Sequence, residues 1–205
     1  LPERALFWPR KETLLIADPH FGKDAAFRQA GLAVPQGVLA ETLDRLASAL
    51  EKTGARRLVI LGDFFHSKSG RNDEALAELA DWRRRNRAVA ILLIQGNHDR
   101  HAGPPPPEWE IEIATEPFAE PDSHISFRHF PRAEEKRFVL AGHLHPALRL
   151  RDVDGAKHQE FCFYFSGKIA ILPAFGGFTG THLVRPENGD QIWIPSGVAV
   201  HKVFG

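Results

Sequence analysis

The sequence predicts an α/β fold in which two packed sheets carry helices on the outside, and three observations predict it. Short apolar runs alternate with helical stripes as far as residue 147. Beyond that point the chain reads mostly as strands and turns. The composition, 43% hydrophobic and 25% charged over 205 residues, is that of a compact globular domain rather than a disordered or fibrous chain. That length suits one domain spanning residues 1–205.

Residues 13–17, 58–61, 89–94 and 138–141 are dense in leucine, isoleucine and valine, as strands buried on both faces must be, and are read as four core strands. Between the first two, Leu39, Leu43, Leu46 and Leu50 form one stripe of a helix over 38–50, and Gly54 stands where it would stop. A second crossover helix is expected over 73–87, with Leu76, Leu79 and Ala80 inward. Its cationic end, Arg83, Arg84, Arg85 and Arg87, reads as a solvated terminus favoured by the helix dipole. After residue 147, strands are expected at 148–153, 159–165, 168–172, 191–194 and 198–203, with turns at Asp154-Gly155 and Asn188-Gly189. Cys162 falls inside the aromatic run 161–165 and reads as core.

Composition also limits function. Lysine plus arginine and aspartate plus glutamate both total 26, so no whole-molecule basic field draws the chain to polyanions, and any nucleic-acid contact must be local. One cysteine excludes a disulfide framework and a cysteine-rich zinc site. No apolar run approaches the ~20 residues of a membrane span and residues 1–10 lack a secretory signal, so the chain reads as cytoplasmic.

The chemistry sits where the core strands end. Strand 13–17 runs into Asp18-Pro19-His20-Phe21-Gly22, strand 58–61 into Gly62-Asp63-Phe64-Phe65-His66, and strand 89–94 into Gln95-Gly96-Asn97-His98-Asp99. Strand 138–141 runs into Gly142-His143-Leu144-His145. Loops at the carboxyl edge of a parallel sheet converge, so these residues are expected to meet. Oxygen and imidazole donors without thiolate suit manganese, iron or zinc.

D-x-H-x-G, G-D-x-x-H, G-N-H-D and G-H-x-H in this order resemble the calcineurin-like metallophosphoesterase superfamily. With Leu172-Pro173-Ala174-Phe175-Gly176-Gly177-Phe178-Thr179-Gly180, the chain is most similar to the bacterial DNA-ligase-associated metallophosphoesterases. The resemblance implies a four-layer α/β/β/α sandwich of the metallo-dependent phosphatase type with two divalent metal ions, manganese first and iron or zinc as alternatives. It implies Asp18, His20 and His145 at the first metal, Asp63 as a bridge, and Asn97, His143 and one further histidine at the second. His129, closing the run 125–128, fits that last place best, with His124 and His101 as the other candidates.

Two divalent ions and only two carboxylates leave a positive surplus suited to hydroxide and a phosphate ester. Phosphoester hydrolysis by activated water is therefore expected, with His98 as general acid and Asp99 orienting its imidazole. His66 resembles the phosphate-contacting histidine of the superfamily's DNA-repair nucleases. The implied substrate is nucleic acid, DNA above RNA, in end processing or endonucleolytic repair beside a DNA ligase and a helicase. Hydrolysis of cyclic nucleotides or small phosphodiesters is the alternative, and a non-catalytic scaffold of the same fold ranks below both. Lys23, Arg28, Lys68, Arg71 and Arg100 follow the motifs and could grip neighbouring phosphates. Pro104 to Pro107 with Trp109 reads as a spacer, or else a stacking wall near the site. His158, His182 and His201 are assigned no function.

Overall fold

The computed structural model describes residues 1–205. Its first sheet grows from the apolar runs of the amino-terminal half. β1 (Leu6–Trp8) lies antiparallel on β2 (Thr13–Ile16), and β3 (Arg57–Ile60), β4 (Ala90–Ile94) and β5 (Ile111–Ala114) follow in parallel, side by side. Successive strand residues face opposite ways. Leu14, Ile16, Leu58, Ile60, Ile91 and Leu93 therefore join one core on the helix side, while Leu15, Ala17, Val59, Leu61, Leu92 and Ile94 join a second core between the sheets. Both faces are apolar, which is why these strands show no polar alternation.

The helices are α1 (Lys23–Gln29), α2 (Val38–Thr53), α3 (Asp73–Arg85) and α4 (Asn97–Ala102). α2 buries Leu39, Leu43, Leu46 and Leu50 as its stripe requires, and Gly54 at φ 62° stops it by donating to the Leu50 carbonyl. The Asn72 side chain starts α3 by accepting from the Ala75 N–H at 2.9 Å. Arg83 departs from the expected solvated helix end. It is buried, and its guanidinium donates to the carbonyls of Trp109 at 2.7 Å, Asn86 at 2.7 Å and Val89 at 3.1 Å. Carbonyls just past a helix end lack intrahelical partners, and a basic side chain satisfies them. Arg84, Arg85 and Arg87 are exposed as expected. Trp109 is neither a spacer nor a stacking wall: it is 5% exposed and packs its ring against Phe64 and Phe65 in the helix-side core.

The second sheet begins with β6 (Phe118–Ala119), β7 (Ile125–Phe127) and β8 (Phe138–Ala141). The chain then leaves it for an antiparallel ribbon, β9 (Pro146–Arg151) and β10 (Lys157–Phe161), and returns as β11 (Phe163–Ser166) and β12 (Ile169–Ile171). β13 (His182–Leu183) joins the ribbon, and β14 (Gln191–Ser196) and β15 (Ala199–Phe204) complete the sheet in the order β15-β14-β11-β12-β8-β7-β6. Residues 159–165, expected as one strand, are thus two strands in different sheets. The break falls at Cys162, which is fully buried and donates its N–H to the Pro146 carbonyl. No turn residue marks it, because the chain passes between layers without reversing.

The two sheets face each other through Phe127, Leu140, Phe163, Ala170 and Leu172 packed on the first sheet. This is an α/β sandwich of two facing sheets, with one difference from the four layers expected. Every α-helix precedes residue 103, and Ile192 and Ile194 on the second sheet, with Cys162 at its edge, are covered by Leu148, Leu150 and Val184 of the ribbon region instead of by helices. β8, the fourth core strand, belongs to this second sheet, where it lies parallel to β7 and β12. No helix is long and apolar enough to cross a membrane.

Candidate metal centre

The loops after β2, β3, β4 and β8 meet at one edge of the sandwich and are bound to one another through the backbone. The His20 N–H donates to the Asp63 carbonyl at 2.9 Å, Phe21 to Phe64 at 2.8 Å and Phe175 to Ala17 at 2.8 Å. Asp18, His20, Asp63, His143 and His145 all adopt left-handed backbone conformations, with φ between 45° and 70°. Such residues are strained by about 1–3 kcal/mol each and persist only where their surroundings impose the conformation. Side-chain bonds supply part of that constraint: the His143 N–H donates to Asp18 Oδ2 at 2.7 Å and the His98 N–H to Asp63 Oδ1 at 2.9 Å. Two motif glycines make room. A Cβ on Gly62 would lie 2.1 Å from His129 Nδ1, and one on Gly96 would lie 2.3 Å from Asp63 Oδ1.

The side chains gather into three groups able to hold a cation, His20 with His66 and His98, Asp18 with His20 and His145, and Asp63 with His129 and His143, each with ligand atoms within 4.8 Å of one another; only the last two contain a carboxylate. Asp63 faces both of these. Its Oδ2 lies 3.8 Å from His20 Nε2 and its Oδ1 lies 3.6 Å from His129 Nε2. Asn97 Oδ1 is 2.8 Å from His129 Nε2. Backbone carbonyls select the tautomers: His129 Nδ1 donates to Leu61 O at 3.1 Å, and His145 Nδ1 donates to Gly180 O at 2.9 Å. In the neutral ring the opposite nitrogen then carries a lone pair. For His129 that lone pair faces the Asn97 oxygen and, at 3.1 Å, His143 Nδ1. For His145 it faces His20 Nε2 at 3.4 Å and Asp18 Oδ2 at 3.7 Å. The His129 lone pair thus meets the Asn97 oxygen acceptor to acceptor, and Asp18 Oδ1 and His20 Nδ1 are buried with no hydrogen-bond partner. A cation is what such a donor set fits.

The electrostatics agree. Burial, reinforced by Asp63, pushes the Asp18 carboxyl well above the usual carboxylate range, and burial raises Asp63 as well. No lysine or arginine pairs with either carboxylate. Burial first, and neighbouring histidines and Lys23 second, push His20 far down, while His145 is lowered to about 4, chiefly by burial. His129 and His143 are lowered, again chiefly by burial. Neutral imidazoles around carboxylates that no lysine or arginine pairs with, Lys23 acting on Asp63 only from a distance, leave positive charge to be supplied from outside.

His98 and His66 lie beside these groups. Their rings stack at 5.1 Å, and both form edge contacts with His20. His98 Nδ1 is 2.6 Å from the His66 carbonyl and its Nε2 is 4.0 Å from Asp63 Oδ2. His66 is lowered to about 4 by burial, Lys23 and His98, and its Nδ1 is buried without a partner. Asp99 does not orient His98. Its two oxygens accept the backbone N–H groups of Asp63 at 2.9 Å, Phe64 at 2.8 Å and Gly96 at 2.8 Å, so it clamps the Asp63 loop to the start of α4.

Of the three histidines considered for the last ligand place, His129 is fully buried in the centre while His101 and His124 are exposed away from it. Among the loop cations, Arg28 is tied to Asp24 and the Pro35 carbonyl, and Arg71 to the Ala102 carbonyl and the Phe65 ring. Lys68 and Arg100 are exposed, and Lys23 is half-buried over the Phe27 ring. His158 sits between Asp152 and Glu160, and His182 and His201 are exposed on strands. Sequence reading missed the carbonyls of Leu61, His66 and Gly180, which carry no side-chain signature. It also missed Glu116, which lies outside every motif and accepts from the His129 N–H.

A sandwich whose strand-end loops gather carboxylates and neutral imidazoles around an acceptor-rich centre defines a metallophosphoesterase. The family model described as calcineurin-like phosphoesterase matches residues 12–189. The chain belongs to that family and is a metal-dependent phosphoester hydrolase. Its structure is similar to the crystal structure of the Pseudomonas putida nuclease MPE, with 35% sequence identity and a TM-score of 0.83 over 95% of this chain and 90% of that one. The E. coli phosphoesterase Yfce is far more distant, at 14% identity and a TM-score of 0.41 over 88% of this chain and 86% of that one. No curated protein sequence matches the chain.

Proposed function

We propose that the chain is a two-metal phosphodiesterase acting on nucleic acid, with DNA the favoured substrate. The observation that carries this reading is the placement of Asp63, one oxygen toward His20 and the other toward His129, between two groups of cation-holding side chains. Asp18, His20, His145 and Asp63 would hold one divalent ion, and Asp63, Asn97, His129 and His143 the other. Nitrogen and oxygen donors without thiolate suit manganese, iron or zinc, and the family resemblance puts manganese first. When bound, such a pair of ions acidifies a water and draws charge from phosphoryl oxygens.

The protein's own groups do the rest. His98 keeps its Nδ1 proton on the His66 carbonyl, so in the imidazolium form Nε2 carries the proton that passes to the departing oxygen, leaving the ring neutral. His66, stacked beside it, offers a ring N–H to the phosphate. Lys23, Lys68 and Arg100 would meet flanking phosphates, which determine position without reading sequence. The nucleic-acid choice draws support from the nuclease neighbour and from Gly62-Asp63-Phe64-Phe65-His66. Action beside a DNA ligase and a helicase follows from the family resemblance and is tested by co-purification.

The decisive assay compares wild type, Asp63→Asn and His66→Asp, loaded with Mn(II), on labelled DNA, labelled RNA, a cyclic nucleotide and a chromogenic phosphodiester. The wild type cleaves DNA, less so as salt rises. Asp63→Asn cleaves nothing, and His66→Asp loses DNA cleavage while retaining the chromogenic substrate. A wild type that hydrolyses only the cyclic nucleotide or the chromogenic diester overturns the nucleic-acid reading.

A further inference from the structure

We infer that Glu116 is a positioning residue for the second cation place, that of Asp63, Asn97, His129 and His143; the inference rests on the two-metal reading above. Glu116 Oε2 accepts two consecutive backbone N–H groups, from His129 at 2.8 Å and from Phe130 at 2.9 Å. Successive amides converging on one anionic oxygen form a charge-assisted clamp on the turn that presents His129. That turn has little else to hold it. β7 ends at Phe127, and the last bond extending its ladder is from the Arg128 N–H to the Leu140 carbonyl. Beyond it, His129 is fixed by its ring on Leu61 O and by its carbonyl, which accepts from the Gly142 N–H at 3.1 Å.

Glu116 is placed to act there because it lies on the crossing from β5 to β6, between the two sheets. The Gln95 N–H donates to the Ala114 carbonyl at 2.8 Å, bringing this crossing to the same edge as Gly96 and Asn97. The clamp also fixes Phe130, whose ring lies 4.4 Å from that of His143 and 4.9 Å from that of His129. One carboxylate thus secures two residues that flank His143. It makes no bond to Asp18, His20 or His145, so its influence falls first on the second of the two places.

A glutamine at 116 keeps an oxygen able to accept both amides and loses only the charge, whereas alanine loses both. The test is stepwise calorimetric titration of the full-length chain with Mn(II), using wild type, Glu116→Gln, Glu116→Ala and His129→Ala, together with thermal unfolding of each metal-free protein. Glu116→Ala is expected to bind the second ion ~10–100-fold more weakly with the first unchanged, and Glu116→Gln to fall between alanine and wild type. Equal weakening of both ions, wild-type binding by Glu116→Ala, or a glutamine variant as poor as the alanine overturns the role. Should Glu116→Ala fail to fold, Glu116→Gln decides: a weaker second ion with an intact first supports the role, and wild-type binding overturns it. His129→Ala separates the two levels. If it loses one ion while Glu116→Ala loses none, only the Glu116 role falls. If the wild type never binds two ions, the two-metal reading falls and takes the Glu116 role with it; if His129→Ala binds two as the wild type does, His129 leaves the second place and the Glu116 role falls with it.

Discussion

His129 shows how a backbone carbonyl can determine what a side chain is for. With its Nδ1 proton on Leu61 O, its other nitrogen meets Asn97 Oδ1 at 2.8 Å lone pair to lone pair, a contact a cation relieves. His98 and Asp99 divide their work in the same local way. Adjacency in sequence suggests that Asp99 orients His98, yet α4 turns the carboxylate back onto three buried amides and leaves His98 to the His66 carbonyl. Asp99→Ala should therefore cost about 3 kcal/mol or more of stability in urea unfolding, since three buried N–H groups lose their acceptor at ~1–3 kcal/mol each. His98→Ala should keep its metals and its stability to within ~1 kcal/mol while turnover drops ~10²–10⁴-fold. An Asp99→Ala protein as stable as wild type and merely slow would restore the orienting role.

At the scale of elements, the sequence shows which segments are buried more clearly than what they are buried against. The stripe of α2 and the strands β2, β3 and β4 were legible because burial on both faces, or along one, leaves a periodic mark. The division at Cys162 was not, since aromatic alternation continues from β10 into β11 with no turn residue between them. Trp109 and Arg83 were misread for a related reason: a proline run and an arginine run look like surface, while the structure makes one a core plug and the other a cap for free carbonyls. Trp109→Ala should lower stability by about 3–5 kcal/mol and leave KM for substrate unchanged, whereas a stacking wall would show the reverse. Asp190 ties β11 to the turn before β14, accepting from the Tyr164 hydroxyl at 2.6 Å and the Glu187 N–H at 2.8 Å. The Glu187 N–H and then the Tyr164 hydroxyl hold its pKa below the usual value. The folded state therefore binds fewer protons than the unfolded chain near pH 4, and the contribution, intact above about pH 4, fades as pH falls through the folded pKa. Unfolding free energies measured from pH 6 to pH 2 should fall less steeply in Asp190→Asn than in wild type; parallel curves would remove Asp190 from the acid response.

Across the whole molecule, the four motif ends were readable because rigid apolar strands must deliver their loops somewhere, and one shared edge brings Asp18, Asp63, Asn97 and His143 together. The sheet to which each strand belongs was less readable: β8 is as apolar as β2, and nothing in its residues says that it lies in the opposite layer. The ribbon that covers Cys162, Ile192 and Ile194 was legible as strands but not as the outer layer, because a half-buried strand looks the same whether it covers a sheet or extends one. A molecule with no net charge and a centre of unshared lone pairs directs its attraction for anions to one place, and only once cations are there. Anomalous diffraction from crystals soaked in Mn(II) tests this most directly. The account predicts two peaks per chain, one enclosed by Asp18, His20, Asp63 and His145 and the other by Asp63, Asn97, His129 and His143. A single peak, or density only among His20, His66 and His98, would contradict it.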